Sequence, residues 1–159
     1  MKGFQFKIDG NWAHFKKPET NNNPLSHDLI PKTALIGMIG AVLGIEREKM
    51  KSLFPQLSED LLYGVELLKP VKKTSCGFTS HTAINPTAIK SPKAFEMLRD
   101  VSYKVCVGLY SERSQSIFDD FQNAILEGYA IYDPYLGIAN CPAELTFISQ
   151  GEFTMMGNG

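Results

Sequence analysis

Every basic residue of this sequence, sixteen Lys and Arg in all, lies at or before Arg113. Eleven of the seventeen acids share that stretch, leaving it at +5, while Ser114 onward holds six acids and no base. Clustered ammonium and guanidinium groups neutralise phosphates, so the first part suits a polyanion. The competing reading is attraction between a basic and an acidic part of one chain.

Other chemistry is sparse. Cys76, Cys106 and Cys141 stand 30 and 35 residues apart without a C-x-x-C pair, and His14, His27 and His81 match no zinc-like spacing with them. No metal and no cofactor are expected. Scattered thiols suit a reducing, cytoplasmic setting. The alternating start, Met-Lys-Gly-Phe-Gln-Phe-Lys, lacks the core of a signal peptide. The longest apolar run, Ala34 to Ile45, is well short of the roughly 18–20 residues that cross a bilayer, so no membrane partner is expected. With 159 residues, 43% hydrophobic and 21% charged, the chain reads as one domain over 1–159. A disordered tail, a collagen-like rod and a disulfide-stapled mini-protein are excluded.

Period-two alternation predicts a first strand over Phe4, Phe6 and Ile8, ended by Asp9-Gly10. A polar connection from Asn11 to Pro31 follows; a loop of about twenty residues is usually functional or disordered. Ala34 to Gly44 reads as a buried helix with Gly37, Gly40 and Gly44 on one face, which predicts close packing on the protein's own sheet ahead of a ligand contact. A short helix from Glu46 to Phe54, stopping before Pro55, leads to a second strand at Tyr63–Leu67. Between Thr74 and Lys93 the pattern dissolves, and a helical turn is expected around Pro92 to Asp100. Val101, Tyr103, Val105, Val107 and Leu109 form the clearest strand. Ser116-Ile-Phe-Asp119 has an S-x-x-D form related to a capping box, Gly128 suits a helix C-terminus, and Ala143 to Ser149 alternates as a last strand.

The order is the α+β plan βαββαβ of ferredoxin-like and RRM-like folds, with a segment over 74–100 inserted between the second and third strands. Such folds host many functions. Tyr103 to Tyr110 lacks the RNP1 signature by which an RRM stacks bases on its third strand.

Two blocks carry a resemblance. Gly10-Asn-Trp-Ala-His-Phe-Lys-Lys17, followed by Leu29-Ile-Pro-Lys-Thr-Ala-Leu-Ile-Gly-Met-Ile-Gly-Ala-Val-Leu-Gly-Ile-Glu46, is similar to the opening of the fifth family of CRISPR-associated Cas proteins. These are RAMP-superfamily subunits of the type I Cascade interference complex, and the flavour resembles subtype I-B. Tyr135-Leu-Gly-Ile-Ala-Asn-Cys-Pro142 resembles the family's later Tyr-Leu-Gly turn followed by Cys-Pro. Where the family has Arg after Pro, this chain has Lys32, which keeps the charge but loses the bidentate fork. Family members are usually longer, so a short or absent C-terminal portion is expected.

The resemblance implies a non-catalytic subunit that binds and caps the 5′ handle of the guide crRNA. It would join that end to the backbone subunit (Cas family seven) and the large subunit (Cas family eight), meeting target DNA only indirectly. Handle binding needs cations for phosphates and flat groups for splayed bases. The implied RNA-binding residues are Lys16 and Lys17 at the start of the polar loop, and Lys32 and Thr33 at a helix N-terminus. Lys72, Lys73, Lys90 and Lys93 would bracket a thumb-like insertion carrying Phe78 and His81. Tyr135, Leu136 and Gly137 complete the set, although a structural turn with its ring on the core explains them equally. One branch of the family cuts precursor RNA without metal, using a proton donor and acceptor. His14, His27, His81 and Tyr63 are available, but that branch's Lys-His pair is absent, so no cleavage is expected. An assembly-only module facing proteins through Asp119, Asp120, Glu127, Asp133 and Glu144 is the third reading.

Overall fold

Alternation decides the sheet. Phe4, Phe6 and Ile8 of β1 (Lys2–Ala13) and Val101, Tyr103, Val105, Val107 and Leu109 of β4 (Lys90–Leu109) all point to one side and are buried. The computed structural model describes residues 1–20, 23–81 and 90–154, without the side chains of 78–81 and 90–92. The remaining elements are α1 (Lys32–Leu43), α2 (Arg47–Asp60), β2 (Leu61–Leu67), β3 (Lys73–His81), α3 (Gln115–Glu127) and β5 (Glu144–Glu152).

The strands form one antiparallel sheet in the order β2-β4-β1-β5, with β3 pairing β4 beyond the end of β2. Leaving β3 aside, this is the ferredoxin-like plan. The apolar faces of α1 and α3 close the core. Phe118 and Phe121 of α3 meet Phe4 and Phe6 edge-on, with ring centroids 5.3 and 5.7 Å apart, an arrangement aromatic quadrupoles favour.

On either side of residues 82–89, which lie outside the described residues, the inserted segment is strand rather than irregular chain. β3 pairs with the first half of β4 from Lys73↔Leu98 to His81↔Lys90, making a two-stranded arm that continues the sheet. The expected helical turn at Pro92–Asp100 is therefore corrected to strand. Its Ala, Glu, Met and Leu favour helix locally, but pairing with distant residues outweighs so weak a preference. Pro92 fits because, among the described residues, β4 has no main-chain partner strand on its other side there, the β1 ladder ending at Ala13↔Leu98.

β1 runs through Asp9-Gly10 to Ala13 instead of ending. Gly10 is needed for close approach: a Cβ would lie 2.5 Å from Leu136 Cδ1 and 3.2 Å from the Pro142 carbonyl oxygen. α2 continues past Pro55 to Asp60, with Pro55 on its exposed side, where water can meet the carbonyl left without a donor. α3 starts at Gln115 after a 3₁₀ turn, so Ser116 lies inside the helix and the capping box does not form; Gly128 does end it. The glycine face of α1 turns away from the sheet. Gly40 would clash with Met50 of α2, while Gly37 opens onto solvent.

Candidate nucleic-acid interface

The polar connection after β1 is pinned against the base of the arm. Lys16 and Ser26 form a β-bridge, Lys17 N–H donates to the Leu25 carbonyl at 2.9 Å, and His27 N–H donates to the Phe15 carbonyl at 2.8 Å. Glu96 of β4 is the hub. Its N–H donates to the Pro24 carbonyl at 2.9 Å, its Oε1 accepts from Ser26 N–H at 3.2 Å, and its carbonyl accepts from His14 Nδ1 at 2.8 Å. His14 is buried and lies flat on Phe95, with centroids 5.2 Å apart. Both its ring face and one ring nitrogen are thus committed. Tyr103 adds a hydroxyl bond to the Asp28 carbonyl at 2.8 Å, and burial pushes its phenol far above the usual range. Outside residues 21–22, which are not among the described residues, the long polar connection, expected to be functional or disordered, is therefore an ordered strap.

Around this junction the implied lysines divide. Lys73 Nζ is held by Asp28 Oδ1 at 2.9 Å and Glu96 Oε1 at 3.4 Å. Its pKa is raised, chiefly by the Asp28 hydrogen bond, and the same bond lowers that of Asp28. Lys32 donates its ammonium to the Ser58 carbonyl near the end of α2. Lys16 and Lys72 are exposed, Lys17 and Lys93 half-buried, and among the described residues none of these four side chains forms an ion pair or hydrogen bond. Lys90, Phe78 and His81 lie on the arm strands, and their side chains fall outside the described residues.

The Tyr135 turn is mainly structural. A bridge joins Tyr135 to Pro142, Leu136 N–H donates to the Cys141 carbonyl at 2.7 Å, and His14 N–H donates to the Leu136 carbonyl at 3.1 Å. Leu136 is fully buried, so its side chain belongs to the core. Gly137 has φ 89°, and a Cβ there would sit 1.8 Å from the His14 carbonyl oxygen. Tyr135, 46% exposed, lines a groove of about 220 Å³ with Thr33, Gly37 and Gly137. That groove brings Thr33 and the turn together, apart from the arm lysines.

Two functional candidates escape a reading by type and local spacing. Trp12 of β1 stands directly opposite Arg99 of β4, and Arg99 N–H donates to the Lys72 carbonyl at 2.9 Å. Only strand register brings these residues together. The opposed halves of the chain do meet, through Lys2 with Asp119 and the terminal ammonium with Glu152, but the other ion pairs among the described residues lie within the first part. No grouping of His, Cys, Asp or Glu among the described residues could hold a metal, and no helix is long and apolar enough to cross a membrane.

A family model described as "CRISPR-associated protein (Cas_Cas5)" matches residues 3–154. No curated protein matches the sequence. Among solved structures, a chain of a "CRISPR RNA-guided surveillance complex" aligns with TM-score 0.65 at 16% identity, over 87% of this chain and 58% of that one. A chain of a "Type III-B Cmr-beta bound to cognate target RNA and AMPPnP" aligns with TM-score 0.62 at 11% identity, over 97% of this chain and 66% of that one. A chain of a "Type IV-B CRISPR Complex" aligns with TM-score 0.52 at 12% identity, over 99% and 95%. This chain therefore spans less than two thirds of the first two. At these identities the likeness is one of fold.

Proposed function

Because the chain belongs to the CRISPR-associated Cas5 family, we propose that it is a subunit of a CRISPR interference complex of the Cascade type, binding the 5′ handle of the guide crRNA. The observation that carries this reading is the cation set at the base of the arm. Lys16, Lys72 and Arg99 are exposed there, with no side-chain ion pair or hydrogen bond among the described residues. Phosphates neutralise such cations with release of counterions, so binding to single-stranded RNA weakens steeply as salt rises. Fluorescence anisotropy across a salt series tests this, and an affinity indifferent to salt sinks it.

The subunit is proposed to be non-catalytic. The support is His14, whose ring is buried, stacked on Phe95 and bonded to a main-chain carbonyl, leaving it poorly placed to reach a ribose hydroxyl. Labelled repeat RNA incubated with the protein in EDTA should stay intact. A single discrete cut, lost on substitution of a His or Tyr, would reverse the assignment.

Contacts to the family-seven backbone and family-eight large subunits fit a different surface. Leu126, Tyr129, Ile131 and Tyr132 are exposed beside Glu127 and Asp133, an apolar and acidic patch suited to protein. Assembly without RNA involvement would show as docking to the backbone subunit with equal affinity whether or not crRNA is bound.

A further inference from the structure

Residues directly opposite in an antiparallel sheet share a face, with Cβ atoms about 4.5–5.5 Å apart. Trp12 opposes Arg99 in the β1–β4 ladder. The β3–β4 register of Lys73 with Leu98, continued by the Arg99 N–H bond to the Lys72 carbonyl at 2.9 Å, sets Lys72 opposite Arg99 on its other side. The three side chains thus form one row across the sheet where the arm leaves the body. Trp12 is partly buried, packing against the core with part of the residue still reaching solvent, while Arg99 and Lys72 are exposed.

We infer that this row is a subsite for one nucleotide of single-stranded RNA, with the base on the Trp12 indole and the flanking phosphates on the Arg99 guanidinium and Lys72 ammonium. The inference rests on the RNA-binding reading above and adds a specific place and specific groups. Three observations carry it. First, an aromatic ring beside cations that form no ion pair or hydrogen bond among the described residues is the combination that single strands require, a stacking surface next to phosphate-neutralising charge. Second, the adjacent carboxylate, Asp100, is hydrogen-bonded by Lys69 Nζ at 2.9 Å and acts on Arg99 and Lys72 only through space. Third, Asp100 takes the left-handed φ of 53° immediately after Arg99, a non-glycine value that singles this spot out within a 20-residue strand.

The chain has one tryptophan, so its fluorescence reports this subsite alone. Single-stranded RNA of mixed sequence is titrated into the protein while Trp fluorescence is followed, and a fluorescein-labelled copy is followed by anisotropy. Stacking quenches the indole at the same RNA concentrations that raise the anisotropy, and double-stranded RNA, whose bases are already stacked, does not quench. Trp12→Phe keeps a flat ring and binds nearly as well, whereas Trp12→Leu keeps apolar bulk without the ring and binds about tenfold more weakly. Arg99→Ala with Lys72→Ala, both at exposed positions, weakens binding about tenfold and leaves the thermal melt unchanged. Anisotropy that rises while Trp fluorescence stays still, or unaltered binding in the Arg99/Lys72 double variant, overturns the subsite and leaves the RNA-binding reading standing. Absence of any anisotropy change overturns both.

Discussion

Arg113 grips Asp60 with two hydrogen bonds, Nε to Oδ2 at 3.0 Å and Nη2 to Oδ1 at 2.8 Å. Asp60 is the last residue of α2 and only 2% exposed. Its Oδ2 also accepts from Ser114 Oγ at 2.5 Å, and its carbonyl accepts from Tyr110 N–H at 2.8 Å. One carboxylate therefore joins the end of α2, the chain leaving β4 and the start of α3. Asp60→Ala leaves the Ser114 hydroxyl short of its acceptor and should cost about 2 kcal/mol. A calorimetric melt should fall by about 6 °C.

The same carboxylate predicts an acid limb. Asp60 has its pKa lowered, first by the Arg113 hydrogen bond and then by Ser114, against an opposing effect of burial. A carboxylate whose pKa is lower folded than unfolded stabilises the fold above its unfolded value, near about 3.9, and loses that contribution as pH falls through the folded value. Melting temperature followed from pH 7 to pH 2 should drop less steeply at the acid end in Asp60→Asn than in the unaltered chain. Parallel curves would mean that the pair has no linkage to folding.

How much of this was legible in the sequence depends on the range of the interaction. The Val101–Leu109 strand, the apolar helix after Pro31 and the Gly128 stop are written in local periodicity and φ requirements, and all were readable. β3 and the first half of β4 were not, because their residues become strand only by pairing with each other and with the strap at Glu96. Gly10 looked like a turn because Asp-Gly usually is one; its reason is the side chain of Leu136, distant in sequence. At the site, the type of residue was legible and its availability was not. Lys73 and Lys32 look like Lys72 in sequence, but the fold gives the first two partners and, among the described residues, leaves the third without an ion pair or hydrogen bond. Nothing local in the sequence pairs Arg99 with Trp12, because register alone makes them neighbours.

Gly137 tests whether the Tyr135 turn is a structural clasp. With φ at 89° and the His14 carbonyl oxygen 1.8 Å from any added Cβ, Gly137→Ala must move either the turn or the end of β1. Strain of this kind costs about 3 kcal/mol. Chemical denaturation should show that loss with an unchanged slope, since the same surface is exposed on unfolding. A loss of less than about 0.5 kcal/mol would mean that the turn yields freely.

Glu96 makes the strap separable from the fold. Glu96→Ala removes the acceptor of Ser26 N–H and one partner of Lys73, yet leaves the main-chain bonds to Pro24 and His14 in place. Local opening should become easier than global unfolding. Hydrogen exchange at Ser26 should quicken at least about tenfold while the amides of β1 and the body of β4 keep their protection. Equal quickening everywhere would show that the strap is part of the global unit.

Lys72 and Lys73 are neighbours with opposite expected behaviour, which makes them the sharpest test of the interface. Lys73 is neutralised by Asp28 and Glu96, and its raised pKa means that its contribution to the fold is complete below the unfolded lysine value and fades only as pH rises through the folded one. At neutral pH its charge is spent within the protein. Lys72 has no such partner among the described residues and stands next to Arg99. Lys72→Ala should therefore lower the slope of log affinity against log salt by about 1, the signature of one lost phosphate contact. Lys73→Ala should leave that slope nearly unchanged and instead quicken exchange in the strap. Were the two slopes to change equally, RNA would have to draw Lys73 away from Asp28 on binding, and the paired lysine would join the interface; were neither to change, the base of the arm would not be where the phosphates lie.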